Sequence, residues 1–281
     1  MQRFTSINSI DLAKTKLEAK YQTKIKAIFK NIANDVAKLY ASNGNYKDVA
    51  DNYYTDFVAL IRNIMRDTCN TFLYSIRGEK KEITKEEEEQ ANNLFLISIV
   101  LFIANQSEKK VKYITDTNKV MIDYEVEQAE LQSLLQASKI QEEINRTLDN
   151  KKREQLIKKK ANVESKNSIS NNIKSNLLDK AENRSNLIAE DIVGSSESFT
   201  REEEAKLVQN LNPEDVYVKE WVSVLDKRTR QDHVKADGQV VNLNESFIVG
   251  GERLLYPRDN NASISQTARC RCIHLIKKLD K

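Results

Sequence analysis

Six glycines and two prolines in 281 residues leave this chain very few places to turn. Glycine and proline are the strongest punctuators of local structure, so their scarcity argues against an all-β or loop-rich fold and for long uninterrupted helices. The breakers are also unevenly placed. The segment from Trp221 to His274 holds three of the six glycines, Pro257, the single tryptophan, both histidines (His233 and His274) and two of the three cysteines, Cys270 and Cys272. The expected architecture is therefore mainly α. A long-helix bundle or extended helical region over 1–193 leads through a linker with a short helix over 194–212 to a small α+β module over 213–281.

Helical periodicity is legible along the first part. Leu17, Tyr21, Ile25, Ile28, Ile32, Val36 and Leu39 mark one amphipathic helix, stopped by Ser42-Asn43-Gly44-Asn45. Phe57, Leu60, Ile61, Ile64, Thr68, Phe72 and Ile76 mark a second from about Asp48 to Arg77, with Gly78 placed to end it. Thr84 with Glu87 three residues later spells a capping box, and the acidic run Glu86 to Glu89 suits the positive end of a helix dipole without any metal. Leu94 to Ala104 is apolar nearly all round, which predicts the buried centre of a bundle. At about 11 residues it is far short of the roughly 20 of a membrane span, so a soluble protein is expected.

From Asp116 to Glu164 no glycine or proline occurs, which predicts one very long helix or two in line. Its far end carries Lys151, Lys152, Arg153, Lys158, Lys159 and Lys160. These read either as a solvated helix terminus or as contacts to DNA phosphates. The polar stretch Ser165 to Asn172 suggests a hinge. A helix over Ile173 to Val193 is expected to end near Gly194-Ser195-Ser196, and Thr200 with Glu203 to cap a short one through Leu211.

Charge and cysteines exclude several classes. Forty-five basic against 42 acidic residues give +3, too little to announce a nucleic-acid protein by bulk charge. Three cysteines, two of them separated by one residue, do not make a disulfide framework, and a reducing compartment is the default. Met1 to Ser6 lead into a charged amphipathic pattern, not an apolar signal core.

The C-terminal segment reads differently. Tyr217 to Leu225 has strand composition, Thr229 to Ala236 a short helix closed by Asp237-Gly238. Val240-Val241, Phe247 to Val249 and Ile273 to Ile276 read as short strands, with Gly250-Gly251 as a turn. A unit of that size has a marginal core and calls for an additional tie. His233, Cys270 and Cys272, with His274 nearby, carry the atoms of a zinc site. The bland alternative is a core in which His233 bonds a backbone carbonyl and the thiols pack as small hydrophobes. A redox-labile disulfide is the third option. Arg228, Arg230, Arg269 and Arg271 bracket the same region, with Asp226, Asp232 and Asp237 available to pair with them. No nucleophile elbow, phosphate loop or His-Glu-x-x-His motif is present, so no enzyme is expected.

The ordered set Trp221, Asp226, Arg228-Thr229-Arg230, His233, Asp237-Gly238, Phe247, Tyr256-Pro257 and Cys270-Arg271-Cys272 closely resembles the C-terminal domain of the phage Mu protein F-like family. These are minor head proteins of tailed bacteriophages. The resemblance covers about 219–273. Ile188 to Val193 lacks the Arg-Thr pair that the family often carries on the preceding helix. The resemblance implies a minor head component in the virion, made in the host cytoplasm and bound to the portal protein, the major capsid protein or packaged double-stranded DNA. It would act in head morphogenesis and DNA packaging or ejection. A DNA-binding or toxin-like effector delivered with the genome is the alternative.

Overall fold

The computed structural model describes residues 7–73, 76 and 84–279. Long helices dominate, as so few breakers require. Helix α1 (Ile7–Ala41) buries Ile10, Leu17, Tyr21, Ile25, Phe29, Ile32 and Val36. It ends where Asn43 takes a left-handed conformation (φ 58°) and Gly44 N–H closes on Leu39 O at 2.7 Å. The second expected helix is broken at Tyr53 into α2 (Val49–Asn52) and α3 (Tyr54–Phe72). Gly78 and Arg77 lie outside the described residues.

Helix α4 (Lys85–Arg146) opens on the expected capping box. Thr84 Oγ1 accepts from Glu87 N–H, while the Glu87 carboxylate accepts from Thr84 N–H and hydroxyl. Its apolar stretch is not a buried centre. Phe95, Ile99 and Phe102 are buried, but Leu94, Leu96, Ile97, Val100 and Leu101 are 43–70% exposed. An all-round apolar sequence cannot say which face finds a partner within the chain.

The glycine-free stretch to Glu164 is a hairpin, not helices in line. Thr147 bonds back to Glu143 O, and Asp149 caps α5 (Asn150–Val163) by accepting from Lys152 N–H at 2.7 Å. The helix α5 then returns along α4, burying Ile140, Ile144 and Leu156 with Val163, and Ser133 Oγ donates to Val163 O. A polar cap reverses the chain here without glycine. The hinge expected at Ser165 to Asn172 is a tight turn, with Ser165 Oγ accepting from Ser168 N–H at the start of α6 (Lys166–Leu211).

Helix α6 runs unbroken to Leu211, where a linker with a short helix was expected over 194–212, and Gly194, Ser195, Ser196 and Ser198 are buried within it. Thr200 caps nothing; its hydroxyl donates back to Ser196 O at 2.7 Å. The small residues are needed because α6 is covered closely here: a Cβ at Gly194 would meet the Arg258 guanidinium.

The rest is α+β as expected. Strand β1 (Val216–Val222) lies between β2 (Val240–Asn242) and β5 (Ile273–Leu279), antiparallel to both, with Trp221 opposite His274. Helix α7 (Gln231–Ala236) connects β1 to β2. Strands β3 (Phe247–Val249) and β4 (Glu252–Leu254), the latter not foreseen, form a hairpin through Gly250 and Gly251. Both turn residues have positive φ, the primed geometry that suits strand twist and requires glycine. A single-turn helix α8 (Ile264–Thr267) precedes β5.

Contacts divide the chain into two units: Met1–Gln22, Leu60–Glu108 and Asn186–Lys281, and Thr23–Ala59 with Lys109–Ser185. The C-terminal sheet thus belongs to a unit that includes the end of α6 from Asn186 onward. Within that unit Phe199 stacks on Phe102 at 3.9 Å and meets Tyr256 edge-on. Within the other, Phe29 packs edge-on against Phe57, and Arg184 donates to Thr117 and Asn118.

Candidate metal centre

Trp221, fully buried on β1, is the anchor of the C-terminal core with Phe247, Val249, Leu254 and Ala236. His233 of α7 stacks edge-on against its indole, ring centroids 5.7 Å apart. Cys270 and Cys272, just before β5, meet His233 through their sulfurs. His233 Nδ1 lies 3.3 Å from Cys272 Sγ and 3.6 Å from Cys270 Sγ, and the three donor atoms fall within 4.8 Å of one another. A tetrahedral zinc with Zn–S near 2.3 Å and Zn–N near 2.0–2.1 Å has N···S edges of about 3.6 Å. The residues fit the ion in donor type and spacing. No disulfide forms among the three cysteines, and Cys69 is a buried residue of α3.

The surroundings favour thiolate at one sulfur. A hydrogen bond from Cys272, then His233 and the Arg258 charge, hold Cys270 well below the ordinary thiol range against the opposing effect of burial. Cys272 is correspondingly pushed up, by its hydrogen bond to Cys270, by burial and by the charge on Cys270. Arg258 Nε donates to Cys270 O, and Ser223 Oγ contacts Cys272 Sγ at 3.4 Å while donating to His233 O. Neither Arg258 nor Ser223 stood out in the sequence, where nothing marks a residue as a neighbour of distant cysteines. His233 Nε2 is buried without a hydrogen-bond partner. The ring is therefore positioned by Trp221 rather than by a polar partner of the kind zinc ligands usually have.

The other motif residues frame this centre. Both Asp226 oxygens grip the Arg271 guanidinium, at 2.5 and 2.7 Å, and Asp226 also accepts from Arg228 N–H. The Arg271 hydrogen bonds hold that carboxyl well below the usual range. Arg230 donates to Ala268 O, Asp237 accepts from Ser223 N–H at 2.7 Å, and Gly238 turns the chain with φ 75°. Pro257 is buried in the loop after β4. Asp232 is only loosely paired, with Lys235 4.0 Å away.

His274 does not join the site. It lies, fully buried, in an ion network that the sequence reading missed. Lys219 Nζ donates to Glu202 Oε1 and to Leu255 O, both at 2.7 Å. Arg201 bonds Glu197 and His274 O, and His274 Nε2 stands 3.7 Å from Glu202. Burial keeps His274 neutral, reinforced by the Arg201 and Lys219 charges. A lysine in the middle of an apolar strand was the available signal.

The basic residues of α5 do not make one face. At about 100° per residue, Lys151 and Lys158 lie outermost, Lys152 and Lys159 flank the buried Leu156 on one side, and Arg153 and Lys160 flank it on the other. Lys160 donates to Gln141, and Lys152 stands 3.9 Å from Glu143. Lys151, Arg153, Lys158 and Lys159 are exposed.

No helix among the described residues is long and apolar enough to cross a membrane. Compared with protein-family models, curated proteins and solved structures, the chain gives no significant match to any of them.

Proposed function

We propose that this chain is a minor head protein of a tailed bacteriophage, of the Mu F-like kind, whose C-terminal fold is tied by a structural zinc at His233, Cys270 and Cys272. The observation that carries the reading is the convergence of the ordered motif series on one site. Trp221 packs on His233, Asp226 locks Arg271 between the two cysteines, and Asp237 fixes the backbone at Ser223.

Two surfaces support a life in an assembly. The exposed aliphatic side of α4, Leu94 to Leu101, is an apolar patch of the sort that monomers rarely leave uncovered. Next to it a groove of about 670 Å³ runs between α4 and the end of α6, its wall mixing apolar residues such as Leu94, Phe95 and Leu207 with polar ones such as Glu87, Glu203 and Lys206. The portal or major capsid protein would cover these. The exposed cations of α5 would meet packaged DNA.

Mass spectrometry of purified virions, with crosslinking to portal and major capsid proteins, tests the reading. Low copy number and crosslinks from the α4 patch are expected. Absence from virions sinks it and leaves the effector alternative. Zinc analysis of the purified protein tests the tie separately, with one equivalent per chain expected.

A further inference from the structure

Resting on the zinc reading above, we infer that the metal centre is an open one, whose fourth coordination position takes a phosphate-class oxyanion held by arginines. Zinc prefers four donors, and three protein donors with one exchangeable position is the arrangement of open sites. Among the described residues only three donors converge here. His274, the next candidate, has its Nε2 3.7 Å from the Glu202 carboxylate and is not among the converging donors.

The space beside the three donors is not apolar. It opens to the surface between Arg228, Arg230, Arg269 and Arg271, with Thr229 and Val224 completing the wall and no carboxylate in the lining. The free volume is about 10 Å³, room for roughly one water-sized group. A ligand therefore inserts a single oxygen toward the donors and leaves its body outside, among the guanidiniums. Two thiolates and a neutral imidazole cancel the zinc charge, so the arginines set the sign of what binds. Asp226, just beyond the wall, neutralises Arg271 and stands 3.7 Å from Arg228. That leaves Arg269, part of Arg228 and the Arg230 nitrogens not bonded to Ala268 O for the anion, an excess suited to a phosphate more than to a single carboxylate.

Backbone geometry points to the same place. Four described non-glycine residues have left-handed φ, and two of them border this centre: Arg258, which donates to Cys270 O, and Arg269, which lines the opening. Such conformations cost of order 1–3 kcal/mol each and persist where the surroundings hold them. The strain at Arg269 fixes an exposed arginine at the mouth, next to Cys270.

The test uses the full chain loaded with cobalt, whose visible bands report thiolate ligation and the geometry at the metal. Inorganic phosphate is titrated at constant ionic strength in perchlorate. A saturable shift of the ligand-field bands is expected. It should weaken roughly tenfold or more in Arg228→Gln/Arg269→Asn, a variant that keeps the thiolate-to-cobalt band, and asparagine tolerates the left-handed backbone. Asp226→Asn, which frees Arg271, should tighten phosphate, an effect opposite in sign to any structural damage. Dimethyl phosphate in a parallel titration separates sources: equal binding assigns the site to phosphodiesters, selective binding of inorganic phosphate to a free anion. Cobalt bands that ignore both phosphates overturn the open site while leaving the metal reading intact. A chain that never develops the thiolate band overturns both.

Discussion

Gly194 occupies mid-helix in α6 where the buried Arg258 side chain crosses on its way to Cys270 O. At an exposed helical site Gly→Ala stabilises, because it restricts the unfolded chain. Here the added methyl displaces a buried guanidinium from its bond to Cys270 O, so Gly194→Ala should lose about 1–3 kcal/mol, read as a lower urea midpoint. The Lys219–Glu202 pair makes a second residue-scale case. Both side chains are fully buried, so Lys219→Met strands a carboxylate and should cost about 3–5 kcal/mol. Lys219→Met/Glu202→Met should recover most of that loss, and chemical denaturation of the three variants decides it. These residues also mark where sequence reading stopped. Trp221, His233, Cys270 and Cys272 stood out because rare residue types announce themselves. Gly194 reads as a linker residue in the sequence because a buried small residue and a flexible one have the same identity, and only the approach of Arg258 distinguishes them.

Helix starts were legible because their hydrogen bonds are local. The Thr84–Glu87 box was visible as a spacing of three and is made as the spacing predicts. Thr84→Ala should lower stability by about 1 kcal/mol. The Glu87 carboxyl is held below its usual value by the Thr84 hydroxyl and N–H. Because the folded-state value is the lower one, the cap's contribution is complete above the ordinary glutamate pKa and fades as pH falls through the lowered value. Thermal melts between neutral pH and pH 3 should therefore show a smaller acid-induced drop for Thr84→Ala than for the parent. The α4–α5 reversal was hidden for the opposite reason. Both arms carry continuous helical periodicity, and the turn between them needs only Thr147 and Asp149, residues that are common within helices. Which side of Leu94 to Ala104 faces inward was equally invisible, since burial there depends on Phe199 and Leu207, a hundred residues away.

At the scale of the chain, zinc and folding should be coupled in one unit and not in the other. Metal that binds only the folded state stabilises it by RT ln(1 + [Zn]/Kd), about 2.7 kcal/mol at a hundredfold excess over Kd. The donors join α7 to the segment before β5, so a bound ion would close a long stretch of chain that contains β2 to β4. Hydrogen exchange with and without chelator should then show protection lost over β1, α7 and β5, and over the end of α6 that holds Glu202 against Lys219. The α4–α5 hairpin, tied by Leu156 and Ser133 within the other unit, should exchange at the same rate in both conditions. Cys272→Ala should abolish the chelator effect without reproducing it elsewhere. Thiolates must lose their protons to bind, so the zinc-dependent part of the protection should weaken as pH is lowered. Protection that is indifferent to chelator and to Cys272→Ala would instead identify the His233–Cys270–Cys272 cluster as ordinary core packing around Trp221.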